Sequence, residues 1–509
     1  MTKASASSGG GDYRRIFAGT AQNVLGIAIA GVATLAANLL MSHVLGREAF
    51  GVVTVVTQAA FVASFATRAG MDMAVLRDVA VEAGVGRWER IKRPVTRAVA
   101  IAGAVSLIVA FLGLVLADQL RSVLSIDAAM GRHVIEAAAL GLPFLALTNV
   151  WLSATRGLKI MRYTLYVFWA GQPVMWVVLM VLGWRISETA WMSVLAYSVS
   201  WVLASLAAAY FWLKESSRWE SAPLEAGAMS KLFRYAGPRA PAALFSQLLF
   251  WTDLFVLTRY ASDAEVGSYS AALRVGQIVV LFLTSVNLMF SPYVADLHNR
   301  GETERLDKLF KTLTRWTIAA TLPAFILLAV APQNVLKLFG GEFSDAKGAL
   351  LILLGGQLFN IATGSVGFVL IMAGRTGWDL LVYAGSLVFD LVLAFWLCPR
   401  YGMEGAAIAN AATFAVANIA RLILVKRFVK IQPYDGLYLR MVPAAVACAV
   451  AMWAVHQVLD AASLVELVAT AVAGGIVYLA VYAAVGLTPE ERRGAAGLVA
   501  RLRGSSQAR

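Results

Sequence analysis

Apolar runs long enough to cross a bilayer, separated by short polar stretches, fill the chain from residue 17 to residue 486. They fall at about 17–45, 49–70, 96–118, 134–154, 161–183, 188–213, 236–258, 267–291, 315–338, 346–373, 377–398, 404–425, 438–458 and 462–486. A hydrocarbon core about 30 Å thick is crossed by roughly 20 apolar residues of helix. The pattern therefore predicts an all-α polytopic membrane protein with about 14 transmembrane helices. Pro143, Pro173, Pro241 and Pro323 lie inside runs, which membrane helices tolerate because neighbours satisfy the freed backbone groups.

The polar connections are uneven. Most on one side are tight turns, whereas 71–95, 214–235 and 292–314 on the other are longer. Of the 43 Lys and Arg, 34 fall on the side that holds both termini, eight on the opposite side, and Arg274 lies within a span. Cytoplasmic loops carry the excess of basic residues, so both termini are read as cytoplasmic. The segment Arg87 to Arg93, the mixed-charge stretch Glu302 to Lys311 and the tail Pro489 to Arg503 read as surface helices at an anionic inner leaflet.

An internal repeat is visible. The turn Gly46-Arg47-Glu48-Ala49-Phe50-Gly51 is matched by Ser262-Asp263-Ala264-Glu265-Val266-Gly267, with the final glycines 216 residues and six helices apart. An even number of helices gives both halves the same orientation, related by an axis along the membrane normal. The expected organisation is an N-terminal lobe over 1–213, a linker over 214–235, a C-terminal lobe over 236–430, two appended helices over 431–487 and a tail over 488–509. Two like lobes around a cleft suit a carrier.

Composition sharpens the picture. The 509 residues are 60% apolar and 14% charged, with mean hydropathy +0.72, against roughly 45–50% and 25% in soluble domains. The two cysteines, Cys398 and Cys448, build neither a disulfide framework nor a zinc site. The four histidines form no HExxH pair, and the chain has no phosphate-binding P-loop. No catalytic residue, metal or cofactor is expected. The net charge of +13 is mostly the sidedness of the loops, so no nucleic-acid partner is inferred.

Several motifs resemble one known group. Leu45-Gly46-Arg47-Glu48-Ala49-Phe50-Gly51, with Gly70 through Arg77 after it, is similar to the opening of bacterial polysaccharide (O-antigen) repeat-unit flippases. Pro399-Arg400-Tyr401-Gly402-Met403-Glu404-Gly405-Ala406-Ala407 resembles a turn shared across their superfamily, which includes lipid II flippases and multidrug extruders. Ser291-Pro292 and Leu338-Phe339-Gly340 fit as well. One departure is Asp390, where family members often carry Asn. The resemblance implies a flippase that moves undecaprenyl-diphosphate-linked oligosaccharide across the bacterial inner membrane by ion-coupled alternating access. Its implied partners are the lipid-linked substrate, membrane lipids, and a polysaccharide polymerase with its chain-length machinery. Lipid II flippase and multidrug extruder are the nearest alternatives, although the first helix has neither the charges of the former nor the acid of the latter. A membrane glycosyltransferase would want an Asp-x-Asp pair, and none occurs.

Ionisable residues inside spans usually face an interior or a cavity. On that ground Arg68, Asp253 and Arg274, with the amides Asn149 and Gln247, are the candidate substrate ligands. Asp390, about 20 Å along its helix, is the candidate ion-coupling residue. Asp253 and Arg274 each lie about 9 Å below the outer interface on adjacent antiparallel helices, so an ion pair between them is expected. Tryptophans near span ends, such as Trp184, Trp191, Trp316 and Trp378, read as an interfacial belt.

Overall fold

The computed structural model describes residues 9–127, 130–223, 227–459 and 463–488. The chain is helical throughout: α1 (Gly9–Thr67), α2 (Met71–Gly84), α3 (Lys92–Val115), α4 (Ala117–Val123), α5 (His133–Gly157), α6 (Arg162–Thr164), α7 (Gln172–Trp184), α8 (Ala190–Ser216), α9 (Ala228–Leu257), α10 (Asp263–Ile278), α11 (Val280–Asn299), α12 (Thr303–Val330), α13 (Pro332–Lys337), α14 (Lys347–Thr363), α15 (Val366–Met372), α16 (Thr376–Phe428), α17 (Val442–Val458) and α18 (Ser463–Val481). Among the described residues, eleven helices are long and apolar enough to cross a membrane, and this is a multi-pass membrane protein.

The fourteen hydrophobic runs map onto these helices, several of them fused or divided; the run 346–373, for one, is split between α14 and α15. α1 carries two runs and breaks at Gly46, and α16 carries two and breaks at Gly402; the run 267–291 is divided between α10 and α11. Gly402 has φ 52° and ψ −129°, which a side chain rarely adopts. The chain reverses there: Thr413 Oγ1 donates to Asp390 Oδ1 at 3.1 Å across 23 residues, whereas an unbroken helix would hold them about 35 Å apart. Glu265, at the start of α10, accepts from the backbone of Met403 at 2.8 Å. A carboxylate from one helix thus caps the second limb of another.

The repeat-related glycines meet. A Cβ on Gly51 would lie 2.7 Å from Gly267 N, and one on Gly267 would collide with Arg47 O. A position touches its own repeat counterpart only where the axis passes between them. Around this contact the chain's halves close together at the end the sequence assigns outside. Arg47 Nη1 pairs with Asp345 at 2.5 Å, and the rings of Phe50, Phe339 and Phe343 lie 5.7–6.0 Å apart.

At the opposite end the polar connections are not free surface helices. α2 buries Met71, Ala74, Val75 and Val79 and packs on α5, where Gly157 meets Leu76 O and Val79. The mixed-charge stretch from Glu302 is the start of α12 and not a separate helix, because no breaker separates it from the apolar run; Lys311 pairs with Asp307 at 2.5 Å. The linker also departs from expectation: α9 begins at Ala228, eight residues before the predicted span, and Ala222 N bonds Glu89 O at 2.9 Å. The tail helix expected over Pro489 to Arg503 lies outside the described residues.

Candidate functional site

Between the halves of the chain lies a cavity of about 450 Å³. The first half contributes Gln58, Phe168, Trp169, Gln172, Trp176, Tyr197 and Trp201; the second contributes Gln247, Phe250, Trp251, Arg274, Gln277 and Gln357. The lining is therefore aromatic rings and carboxamides with one guanidinium; among the described residues, no carboxylate lines it.

Local chemistry aims these groups inward. Pro173 has no N–H to give the carbonyl four residues back, and the turn before it is a π-helix over Leu165–Gly171, in which Gln172 N–H bonds Val167 O. That wide turn delivers Phe168 and Trp169 to the cavity. Gln172 is fixed by donating to Ser200 Oγ at 3.0 Å, and Trp176 by donating to Ser193 O at 3.1 Å. Trp176, Tyr197 and Trp201 stand edge to face in series, with centroids 5.1 and 6.1 Å apart. The indole nitrogen of Trp201 is buried beside Tyr197.

Arg274 is the focus. Its guanidinium lies over the Trp251 ring at 5.0 Å, a cation–π contact, with Tyr197 nearby. Nε has no hydrogen-bond partner, and no carboxylate pairs with the group among the described residues. Arg274 also borders a second space of about 430 Å³, shared with Ala30, Thr34, Trp169, Gln277 and Leu281. This side cleft is edged by Val32, 71% exposed, and by Ile278. The lone cation therefore stands where a polar chamber meets an apolar opening in the helix wall.

Asp253 is elsewhere. Its carboxylate accepts from the Tyr269 hydroxyl, with Asn410 alongside; the expected ion pair with Arg274 does not form. Trp251 and Asp253 are two residues apart on one helix, about 200° around it. Trp251 faces Arg274, so Asp253 faces away. Behind it, Asp390 accepts from Thr413 and lies close enough to Asp253 for their charges to interact. Both carboxylates are fully buried, and each keeps one oxygen without a hydrogen bond.

Of the other residues singled out from sequence, Gln247 lines the cavity. Asn149 spends its amide on Leu145 O, at 3.0 Å in its own helix, and Arg68 lies at the far end of its helix, bonded to Asp72. Gln58, Gln277 and the ring series Trp169, Trp176, Trp201 and Trp251 were missed. The available signal was position: Trp176 and Trp201 sit well inside their apolar runs, where an interfacial belt does not reach.

A sequence family described as "Polysaccharide biosynthesis protein" matches residues 17–298, and a second, MatE, matches 238–396. The "Probable low-salt glycan biosynthesis flippase Agl15" of Haloferax volcanii is 25% identical over 40% of this chain and 43% of its own length, so the match spans under half of that relative. The "Putative O-antigen transporter" of Shigella flexneri is 22% identical over 76% of this chain and 92% of its own. In fold, the chain resembles the lipid II flippase MurJ in an inward closed conformation, with TM-score 0.69 and 13% identity over 90% of this chain and 97% of that one. It likewise resembles an inward-facing MATE transporter of the MOP superfamily, with TM-score 0.65 and 15% identity over 79% and 94%.

Proposed function

Given that the chain belongs to the polysaccharide biosynthesis protein family, whose match covers residues 17–298, we propose that it is a flippase for lipid-linked oligosaccharides. Its substrate would be an isoprenyl diphosphate carrying a short glycan, moved from the cytoplasmic to the outer leaflet of a bacterial inner membrane. The single observation that carries this reading is Arg274, a half-buried cation with no carboxylate partner among the described residues, at the junction of the ring-lined chamber and the side cleft.

Each part of such a substrate has a match. A guanidinium meets phosphate oxygens bidentately. Sugar rings present C–H faces to aromatic side chains and hydroxyls to carboxamides, and the chamber supplies both. The isoprenyl chain needs no pocket, because the cleft leaves it in hydrocarbon. A diphosphate glycan cannot cross about 30 Å of lipid unaided, since every desolvated polar group costs several kcal/mol. The chamber replaces water one group at a time.

The similarity to the lipid II flippase and to the putative O-antigen transporter supports this class. A multidrug extruder for cations is disfavoured by a lining that carries a cation and no carboxylate among the described residues. The pair Asp253 and Asp390 is the proposed ion-coupling site: two interacting carboxylates with spare oxygens suit uptake of a proton or a small cation. Alternating access then amounts to exposing this chamber first inward and then outward, with a polymerase taking the product outside.

The test is direct. In proteoliposomes loaded with a fluorescent prenyl-diphosphate oligosaccharide, outward movement should be protein-dependent and accelerated by a pH or sodium gradient. Translocation at the rate of protein-free vesicles would end the proposal.

A further inference from the structure

Beyond the chamber, at the end read as cytoplasmic, the described residues hold a second group of guanidiniums, of which Arg68 and Arg421 are buried and Arg156 and Arg239 half-buried. Arg68 stacks 3.8 Å from the Phe65 ring centre and donates to Asp72 at 3.1 Å, while its Nη2 is buried without a hydrogen bond. Arg156, at the end of α5, lies in the field of the same carboxylate and of Arg68. It donates to Ser153 at 2.6 Å, and its Nε is likewise unbonded. The second half has a counterpart. Arg421 lies over Tyr383 at 4.3 Å and donates to Asp379 at 3.1 Å, with Nη2 unbonded, and Arg239 acts on Asp379 too.

α9 joins the two groups. Gly70, two residues past Arg68, lies against Ala236, where a Cβ would come within 2.6 Å of the carbonyl. Arg239 is three residues further along α9 and so on the same face. The seam between the chain's halves thus holds two clusters, each with two guanidiniums and one carboxylate. Each leaves one net positive charge around a buried arginine, with unbonded N–H groups on Arg68, Arg156 and Arg421, an arrangement that is costly unless a further anion completes it.

We propose that this seam is a second phosphoryl-binding site, where Arg68 with Arg156 and Arg239 with Arg421 receive the phosphoryl groups of an inner-leaflet lipid. The inference rests on the reading of the chain as a lipid-diphosphate carrier only for which lipid arrives. With Gly70 against Ala236 the donors are sealed; parting that contact exposes them. The two spare positive charges match the two negative charges of a diphosphate diester, so the seam serves as a capture point before transfer to Arg274. A phospholipid headgroup offers the same chemistry with one charge.

The experiment uses the full chain in proteoliposomes with a photoreactive farnesyl diphosphate, and the labelled peptides are identified by mass spectrometry. Labels are expected both on the seam, around residues 68–79, 156 and 236–239, and on the chamber. Arg274→Ala should lose chamber labelling and keep the seam. Arg68→Gln with Arg156→Gln should cut seam labelling at least tenfold. Arg68→Lys with Arg156→Lys should retain more than half and report that the lobe still folds. Seam labelling unchanged in the Gln pair, or absent while the chamber labels, overturns the proposal. Chamber labelling that survives Arg274→Ala counts instead against the role given to Arg274. Competing vesicles separate the sources: displacement by phosphatidylglycerol at equal mole fraction assigns the seam to inner-leaflet phospholipid, and displacement by prenyl diphosphate alone assigns it to the carried lipid.

Discussion

Arg274 owes its character to what does not touch it. Its neighbours are the Trp251 ring, 5.0 Å away, and Tyr197, which tolerate a cation without neutralising it. Arg274→Ala is expected to lower oligosaccharide translocation at least tenfold at unchanged membrane abundance. Arg274→Lys should recover only part, because an ammonium is a point charge and cannot match phosphate oxygens in a fork. A Lys variant as active as the wild type would reduce the role of Arg274 to bulk positive potential. Asp390→Asn keeps the acceptor for Thr413 and removes the exchangeable charge. Transport by that variant should lose its dependence on the ion gradient or external pH; a retained pH profile, measured from pH 5 to 8, would make Asp390 structural.

Two helical irregularities carry the geometry of the site. At Gly402 a Cβ would meet the Glu265 carboxylate as well as an unfavourable φ, so Gly402→Ala should cost about 1–3 kcal/mol. The control is Gly385, in the same α16, around which a Cβ would meet nothing within 4 Å. Thermal unfolding in detergent should show a lowered midpoint for Gly402→Ala and an unchanged or slightly raised one for Gly385→Ala. In the π-turn before α7, Pro173→Ala restores an N–H to the helix. The turn should then tighten toward α-helix and rotate Trp169 away from the chamber. Weaker quenching of tryptophan fluorescence by a bound glycolipid, with affinity reduced about tenfold, would show it.

Across the whole molecule, the contacts at the end read as outer hold the two halves together around the Gly51–Gly267 crossing. Phe50 packs with Phe339 and Phe343, and Arg47 reaches Ser268, Asp345 and Glu342 O. Under the proposed alternating access, outward opening parts them. Arg47→Cys with Asp345→Cys, bridged by a short cleavable thiol reagent, should stop transport, and cleavage should restore it. The native Cys398 and Cys448 are buried and give little background reaction. Transport that continues under full cross-linking would place the moving seam elsewhere.

The sequence by itself determined the class of molecule. Runs of about 20 apolar residues can cross hydrocarbon only as helices, so hydropathy alone marks the spans, and the loop arginines and lysines carry the expectation of their sidedness. The repeat was legible at Gly51 and Gly267 because a close backbone crossing admits only glycine. The burial of Asp253 and Asp390 was legible too, since an ionisable group within an apolar run stands out against its neighbours. What the tertiary structure decided was azimuth. Asp253 sits on the side of α9 turned away from Arg274 on α10, and it keeps company with Asp390 from a helix more than a hundred residues away. Asn149, as plausible in sequence as Gln247, turned back onto its own helix. The chamber rings belong to helices far apart in the chain, and the turn that aims two of them follows a proline whose missing hydrogen bond reads from sequence only as a tolerated defect. A pattern along one helix gives height and which face is apolar; which neighbour that face meets depends on packing among all of them, and no local signal encodes it.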